Sequence, residues 1–359
     1  MLGSSARLRR RELVFGGLCA LPLGASAGFV DPLDAPAAMR SVPGRRPLLA
    51  VTTVGRALVG VGSRGLIVRS ENRGQTWEQS QVPVQSDLLA VQFVSERLGW
   101  AVGHDGVVLH SSDGGRSWGR QLDGRAAGST FQSYYASAGT ADEVALAQTQ
   151  KNQGNGPVLP YLDLWFEDER KGYIVGSFGQ IAATQDGGRT WEPWLHRIDN
   201  PDQLNFNAIR SIAGQLWIAG ERGRLFRLDR TTGRFQAQDT GYAGSFFGLA
   251  GHADALLAFG LRGVVYRRDA AGAGRWVAVP MPAEQSITAG LFDPGAGFVL
   301  VDAAGQILLG GSDGLRWTAQ APPRPMRAAG LALLDRDTVA LAALDGAHVL
   351  SLPPQATRS

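Results

Sequence analysis

The chain has 359 residues, of which 44% are hydrophobic and 19% charged, and its formal net charge is +3. This length fits two ordinary domains or one large repeat domain. The 48 glycines follow no collagen-like period, which excludes a triple helix. Frequent glycine between short apolar runs instead predicts many short strands, an all-β fold.

Residues 1–27 are predicted to be an export signal. Arginines at 7 and 9–11 precede the apolar stretch 13–24, which is too short to span a bilayer. Ala25-Ser26-Ala27 resembles a cleavage site, so the mature chain is expected to start at Gly28 in the periplasm; an uncleaved anchor is the alternative. The Arg10-Arg11 pair leaves open whether export uses the general or the twin-arginine route.

Cleavage of this signal changes the charge and the cysteine content. Loss of four arginines and one glutamate takes the net charge from +3 to 0, so no nucleic-acid partner is expected. Loss of Cys19, the single cysteine, leaves no thiol for a disulfide or a metal. The histidines show no paired spacing and no cofactor motif occurs, so neither metal nor cofactor is expected. No later segment is apolar enough for membrane insertion.

An eight-residue motif, S/T-x-D/N-x-G-x-S/T-W, recurs at 70–77, 111–118 and 184–191. A unit repeated at this spacing must stack on its copies to bury its apolar face. The span 87–121 reads as four antiparallel strands, the size of a propeller blade. Seven such spans are predicted, with a six- or eight-bladed ring as the alternative: 48–80, 87–121, 158–194, 206–238, 246–279, 287–320 and 326–352.

The last span supplies three strands only, and 353–359 is read as a tail. Because an open sheet edge invites aggregation, residues 35–42 are predicted to close the ring as the fourth strand of blade seven. The predicted fold is therefore an all-β, seven-bladed propeller whose N- and C-terminal segments share the last blade.

The repeated motif is the Asp-box of sialidase-like propellers, and its residues are interpreted as structural. Its carboxylate or amide accepts backbone N–H bonds inside a turn, and its tryptophan packs between blades. One carboxylate per turn is too few for a calcium site. The residues assigned to this role are Asn72, Asp113, Asp186, Asp313, Trp77, Trp118, Trp191 and Trp317.

A segment of 36 residues, 122–157, separates blades two and three where other links are much shorter. Thr140 to Glu143 resembles a capping box that opens a helix ending near Lys151. Three readings stay open: a helical hairpin packed on its own propeller, a lid or docking arm, or a disordered strap.

The turns between second and third strands are expected on the face opposite the Asp-boxes. Arg64, Arg222 and Arg262 occupy one equivalent turn position in blades one, four and five, while Arg210 and Arg327 lie at or near inner strands. These five arginines are predicted to bind a partner that carries carboxylates. The alternative is that arginine in an exposed turn only aids solubility.

With its blades placed, residues 40–352 resemble the photosystem II stability/assembly factor family. The likeness is carried by 88–118, by 173–176 with 186–191, and by the missing outer strand of the last blade. It implies an exported, non-catalytic seven-bladed propeller that holds a membrane protein during assembly through an arginine-rich face. The insertion resembles a proteobacterial branch whose genes often neighbour RND-type exporters, so the client is left open.

The rival interpretation is a sialidase-like glycoside hydrolase or a glycan-binding protein. Sialidases need an arginine triad, a Tyr–Glu nucleophile pair and an acid. Here Arg40-Ser-Val-Pro43 only approaches the family's N-terminal motif, and Tyr161, Tyr173 and Tyr266 have no readable glutamate partner. The chain is therefore expected not to be an enzyme, and a membrane or envelope protein is the predicted partner.

Overall fold

The structure is a computed structural model whose described residues form a ring of small sheets. The described residues are 30–137, 142–154, 156, 158–269, 274–282 and 284–353. The predicted export signal (1–27) and all but the first residue of the predicted tail (353–359) lie outside them. Within the described ranges, no helix is both long and apolar enough to cross a membrane.

Among the described residues, twenty-seven strands form seven antiparallel sheets, each built from strands that follow one another along the chain. Blades one to four are β1 (Leu48–Val54), β2 (Ala57–Gly62), β3 (Ile67–Ser70), β4 (Glu78–Gln79); β5 (Leu88–Phe93), β6 (Gly99–Gly103), β7 (Val108–Ser111), β8 (Gly119–Leu122); β9 (Tyr161–Phe166), β10 (Gly172–Gly176), β11 (Ile181–Thr184), β12 (Glu192–Pro193); and β13 (Phe206–Ile212), β14 (Gln215–Gly220), β15 (Leu225–Asp229), β16 (Arg234–Gln238). Blades five to seven are β17 (Phe246–Gly251), β18 (Ala255–Gly260), β19 (Val265–Asp269), β20 (Val277–Val279); β21 (Ile287–Asp293), β22 (Gly297–Asp302), β23 (Ile307–Gly310), β24 (Trp317–Gln320); and β25 (Ala328–Asp335), β26 (Thr338–Ala343), β27 (Gly346–Ser351).

The core consists of apolar clusters that each join two neighbouring blades. Between blades one and two, for example, Val59 and Val61 pack in one cluster with Leu109 and Trp118. The second strand of several blades is buried along its whole length, because neighbouring blades cover both of its faces. The predicted seven-bladed architecture is confirmed.

The predicted closing strand is wrong. Blade seven has three strands, and residues 35–42 form no strand. They run along blade one instead, where Ala37 N–H donates to the Val82 carbonyl (3.0 Å) and the Gln79 side chain donates to the Ala38 carbonyl (3.0 Å). The physical reason is the preceding Leu33, which is buried in the cluster between blades one and two and holds the segment there.

The ring closes by side-chain packing between blades one and seven. Leu48, Leu58 and Val68 share a cluster with Ala340 and Ala342, so the small alanines let the two sheets approach closely. A one-turn 3-10 helix at Pro43–Arg45 lies beside β27. The first residue of β27 is Gly346, and a Cβ atom at this position would collide with the backbone of that helix. Hydrophobic contact thus replaces the hydrogen-bonded closure that was predicted.

The insertion forms a helical hairpin, α1 (Gly124–Ala136) and α2 (Glu143–Gly154), packed on its own propeller. The Asp123 carboxylate caps α1, and the Tyr135 hydroxyl donates to the Pro193 carbonyl of blade three (3.1 Å). The cap of α2 is Asp142, whose carboxylate accepts the Ala145 N–H (2.9 Å). Residue 140, expected to be the cap, lies outside the described residues.

Candidate functional site

The turns between the second and third strands of every blade lie on one side of the ring, which we call the turn face. Because the strands are antiparallel and in sequence order, the Asp-box turns between third and fourth strands lie on the other side, the Asp-box face. This placement matches the sidedness expected from the sequence.

Arg64, Arg222 and Arg262 occupy the same left-handed backbone position, with φ of 58°, 51° and 58°. A side chain is strained there, and glycine is the residue that adopts this conformation at least cost. The next position is a glycine by necessity: a Cβ atom on Gly65 would collide with the Val84 carbonyl oxygen. An exposed arginine therefore occupies a backbone position that glycine would adopt at a lower conformational free energy.

In blades one, three and five, the backbone N–H at this left-handed position fastens the turn to the next blade. The N–H of Arg64 donates to the Asp87 carboxylate (2.7 Å), and the N–H of Arg262 donates to the Ser286 hydroxyl (3.2 Å). In blade three the Phe178 N–H donates to the Asn205 side-chain oxygen (2.7 Å). The turn is thus fixed by its main chain, which leaves the side chain at this position in solvent.

The guanidinium groups on the turn face have few partners. Arg222 pairs with Asp202 (3.1 Å), but both side chains are more than half exposed, so the pair adds little stability. Arg64, Arg262 and Arg327 make no ion pair with any described residue, and all three are exposed. These cations are available to an external anion.

The ring order divides the predicted arginines into two groups. Arg222 and Arg262 lie on the adjacent blades four and five, and Arg64 and Arg327 lie on the adjacent blades one and seven. The hairpin stands beside blades two and three, where the Gln148 side chain donates to the Phe178 carbonyl (2.9 Å). The insertion therefore borders the turn face rather than covering its arginines.

Arg210 lies elsewhere, in the central channel. It pairs there with Asp163, whose carboxylate also accepts the Ile209 N–H (2.8 Å). Burial raises the pKa of Asp163, and the Arg210 charge together with backbone N–H bonds opposes that rise. This pair joins the inner strands of blades three and four, so we leave Arg210 out of the candidate surface.

On the Asp-box face the carboxylates use their hydrogen bonds inside the turn. Asp113 accepts the Ser117 N–H (3.0 Å), the Ser117 hydroxyl (2.6 Å) and the Ser111 hydroxyl (2.8 Å). Burial works against ionisation, but these bonds lower the pKa of Asp113 to about 2. Asp186 is held in the same way by Thr190 and Thr184, and Asn72 by Thr76 and Ser70.

The Asp-box tryptophans pack onto the preceding blade. Trp118 is buried in the cluster between blades one and two. Trp191 is buried in the cluster between blades two and three. Trp77 is half-buried against the cluster that joins blades seven and one. Trp317 is half-buried against the cluster that joins blades five and six. In the shortened copy, Asp313 still accepts the Leu315 N–H (3.0 Å).

Sequence reasoning missed the apolar part of the turn face. Phe178 is 47% exposed and Leu344 is 44% exposed, both in turns between second and third strands. Phe178 holds the same left-handed position as Arg64, with φ of 54°. Comparison of that single position across all blades could have revealed it.

The channel offers no pair of carboxylates for glycoside hydrolysis. Asp163 is the one carboxylate among the described residues that line it, and it is already paired with Arg210. In the same described ranges, no group of three or more His, Cys, Asp or Glu residues is placed to hold a metal ion. A hydrolase is therefore not favoured.

A sequence model of the family described as photosynthesis system II assembly factor YCF48 matches residues 58–144 and again residues 152–238. The chain is 26% identical over 223 residues to the chloroplastic photosystem II stability/assembly factor HCF136 of Oryza sativa, covering 53% of this chain and 51% of the relative. It is 28% identical over 171 residues to the photosystem II assembly protein Ycf48 of Synechococcus sp. (strain JA-2-3B'a(2-13)), covering 42% and 49%. The chain spans at most about half the length of these relatives.

Solved structures show the same fold. A structure titled "YCF48 bound to D1 peptide" superposes with a TM-score of 0.63 at 15% identity, over 88% of this chain and 97% of that chain. YCF48 from Cyanidioschyzon merolae gives 0.61 at 14% identity, over 89% and 99%. A streptogramin B lyase gives 0.63 at 13% identity, over 88% and 96%, so the architecture alone does not specify an activity. Because the family model matches and the fold is the same, the chain belongs to the photosystem II assembly factor-like family of seven-bladed, Asp-box propellers.

Proposed function

We propose that this protein is a non-catalytic scaffold that binds a membrane or envelope protein through the turn face and assists its assembly. The observation that carries the proposal is the recurrence of an exposed arginine at one strained backbone position in three blades. An exposed residue that is kept at an unfavourable backbone angle, with at most one solvent-exposed ion pair, is better explained by an external ligand than by stability.

The chemistry of the turn face indicates an acidic client segment. Guanidinium groups bind carboxylates through paired, charge-assisted hydrogen bonds. Arg222 and Arg262 on one side and Arg64 and Arg327 on the other would contact two separated acidic positions of one segment. The exposed Phe178 adds an apolar contact between them. The structure titled "YCF48 bound to D1 peptide" gives a precedent for a peptide client in the family.

The proposed place of action is the periplasm. The basic and apolar pattern of residues 1–27 supports export, and some relatives are named as photosystem II assembly lipoproteins. A client associated with an RND-type exporter is part of the proposal and rests on the resemblance of the 122–157 insertion to a proteobacterial branch.

The test is charge reversal with a matched control. A triple Arg64→Glu, Arg222→Glu, Arg262→Glu variant is compared with a triple Arg97→Glu, Arg116→Glu, Arg189→Glu variant, which makes the same charge change at exposed arginines of the opposite face. Both are produced in the native host, cross-linked in cells, and their partners are quantified by mass spectrometry.

We expect the turn-face variant to capture at least about tenfold less of its main envelope partner, because several charge-assisted hydrogen bonds become repulsive contacts at once. The control variant should retain that partner, and both should melt within a few degrees of the wild type. Equal retention by the two variants would remove the turn face from the proposal. Equal loss would show a general charge effect instead of a site.

A further inference from the structure

Blade seven lacks the fourth strand that completes each of the other six blades. Among the residues that the structure describes, β27 therefore has a neighbouring strand on its inner side only. The outer edge of such a strand presents N–H and C=O groups with which another strand can pair. Residues 35–42 leave this edge open, because they are held along blade one.

The strand pairing shows which groups of β27 point outward. The turn that joins β26 to β27 has two residues, so the residues at its two ends bond to each other, and every second residue of β27 then faces away from β26. The outward-facing residues are Ala347, Val349 and Ser351. The Ser351 carbonyl accepts the Gln320 side chain (3.0 Å), but no described residue bonds to the outward N–H and C=O groups of Ala347 and Val349.

The Ala347 carbonyl corresponds to groups that bind the fourth strand in other blades. Ala347 pairs with the last but one residue of its second strand, as Ile67 and Ile181 do in blades one and three. The Ile67 carbonyl accepts the Ser80 N–H, and the Ile181 carbonyl accepts the Trp194 N–H, both at 2.9 Å. Each donor directly follows the fourth strand of its blade, so blade seven lacks the segment that would supply this donor.

A second set of unpaired backbone groups lies on the neighbouring Asp-box of blade one. Between blades one and two, Gln81 follows the fourth strand, donates to the Arg116 carbonyl (3.3 Å) and accepts the Trp118 N–H (3.1 Å). The equivalent motif positions in blade one are the Gln75 carbonyl and the Trp77 N–H, and neither has a partner within the described ranges. The end of a fourth strand in blade seven would fill this gap too.

An open cleft of about 420 Å³ lies between the 3-10 helix at Pro43–Arg45, the blade-one Asp-box and Ala347. Trp77 lines this cleft and is only half-buried, whereas Trp118 and Trp191 are buried against blades that have all four strands. The missing strand therefore leaves part of the Trp77 indole uncovered. An incoming segment can gain apolar contact with this ring.

The unpaired charge beside the cleft is positive. Arg45 is the one charged side chain among the described residues that line it, and Arg46 follows directly. Both are exposed and form no ion pair with a described residue. Asp345, in the turn before β27, is already bonded to Arg324 (3.1 Å) and His348 (2.8 Å). The cleft thus favours a segment that carries a carboxylate.

We propose that the blade-seven slot, formed by residues 347–351, residues 75–77 and Arg45, binds an extended segment of a partner protein as the fourth strand of the blade. The segment runs antiparallel to β27 and donates to the Ala347 carbonyl. Its apolar side chain contacts Trp77, and its acidic residue pairs with Arg45. The slot is separate from the arginines of the turn face and does not depend on their proposed role.

The width of the slot favours a single strand over a second copy of the chain. Blades six and one, on its two sides, carry the fourth strands β24 and β4. The edge of β27 therefore lies further in than theirs by one strand spacing, about 4.8 Å. An extended segment fits between the two blades, whereas the broad rim of a second propeller would meet β24 and β4 first.

The probe is a capped peptide, Thr-Val-Thr-Val-Thr-Asp-Asp, whose valines share one face. A segment antiparallel to β27 ends beside the first residue of that strand, where Arg45 lies, so the aspartates stand at the C-terminal end. Binding to the expected mature chain, residues 28–359, is measured by titration of amide chemical shifts. We expect saturable binding, with the shift changes at residues 347–351 and 75–77.

Matched peptides separate hydrogen bonding from charge. Methylation of the second valine nitrogen removes the donor to the Ala347 carbonyl and should weaken binding by about threefold to tenfold, the value of one hydrogen bond. Methylation of the second threonine nitrogen, which faces solvent, should not. Two lysines in place of the aspartates should weaken binding by about threefold, and Arg45→Glu should reverse this preference. Arg275→Glu, the same charge change at an exposed arginine of blade five, should not.

Val349→Pro tests the edge from the side of the protein. It removes an outward N–H, so it should abolish binding and melt within a few degrees of the wild type; Pro193 in β12 shows that an edge strand here accepts proline. The proposal is overturned if the peptide does not bind at its highest soluble concentration, or if the two methylated peptides bind equally well. A dimer that Val349→Pro dissociates would assign the edge to a second copy. Binding only after removal of residues 354–359 would assign it to the chain's own end, and either result also overturns the proposal.

Discussion

The two faces of the propeller carry equally regular turns but use their polar side chains in opposite ways. On the Asp-box face, Asp113 and Asp186 accept hydrogen bonds from their own turns. On the turn face, the backbone is fastened by the next blade, and the arginine side chains extend into solvent. Regular repetition therefore serves the fold where the bonds stay inside the turn. Under the proposed function, it serves binding where the side chain is exposed at a left-handed backbone position.

The largest expected effect is on the Asp-box face. Trp118→Ala should lower the free energy of unfolding by about 3–5 kcal/mol, because the buried indole fills the space between blades one and two. Urea denaturation followed by circular dichroism measures the change. Trp317→Ala is the matched control: its ring is only half-buried, so its cost should be smaller. A smaller cost for Trp118→Ala than for Trp317→Ala would contradict the structural role.

Arg210 is a useful test of the comparison between the two faces, because it lies in the central channel and on neither face. Arg210→Ala should cost about 2 kcal/mol of folding free energy, since it leaves the buried Asp163 carboxylate without its cationic partner. Partner capture should be unchanged. Loss of capture at unchanged stability would move Arg210 back into the binding surface.

Asp113 tests whether the Asp-box acts only through hydrogen bonds. Asp113→Ala should cost about 1 kcal/mol, whereas Asp113→Asn should be close to neutral at pH 7, as Asn72 serves the same turn in blade one. The folded pKa is about 2 against an ordinary value of 3.8, so the carboxylate stabilises the fold above about pH 4 and loses that effect as the pH falls through 2.

Acid titration of the melting temperature checks this sign. The wild type should lose more stability than Asp113→Asn between pH 4 and pH 2. Parallel acid curves for the two proteins would show that the ionised carboxylate adds nothing to the turn.

The smallest effect on stability per substituted residue is expected on the turn face. Replacing Arg64, Arg222 and Arg262 by glycine relieves three left-handed side chains and should raise the free energy of unfolding, by at most about 1 kcal/mol per site. The same triple variant should lose partner capture. A clear loss of stability would show that the arginines are there for the fold.

Most of the architecture could be predicted from the sequence, because each blade repeats its own turn chemistry. Predicted blade spans such as 206–238 and 287–320 coincide with the strands observed there. The observed course of residues 35–42 could not be predicted, because nothing in their sequence indicates that Leu33 is buried and anchors the segment beside blade one. Strand pairing at a ring closure depends on contacts between distant parts of the chain.

The candidate site was only partly predictable. The equivalence of Arg64, Arg222 and Arg262 follows from the spacing of their glycines, and the structure gives them one backbone geometry. The position of Arg210 in the channel depends on its pairing with Asp163, 47 residues earlier, which no local pattern reveals.

Hydrogen–deuterium exchange of the protein bound to its captured client tests the division of the two faces most directly. We predict protection of the turn peptides 62–66, 220–224 and 260–264 when the client is bound, with the Asp-box peptides 70–77, 111–118 and 184–191 unchanged. Protection of the Asp-box peptides with unchanged exchange in the turns would contradict the assignment of binding to the turn face.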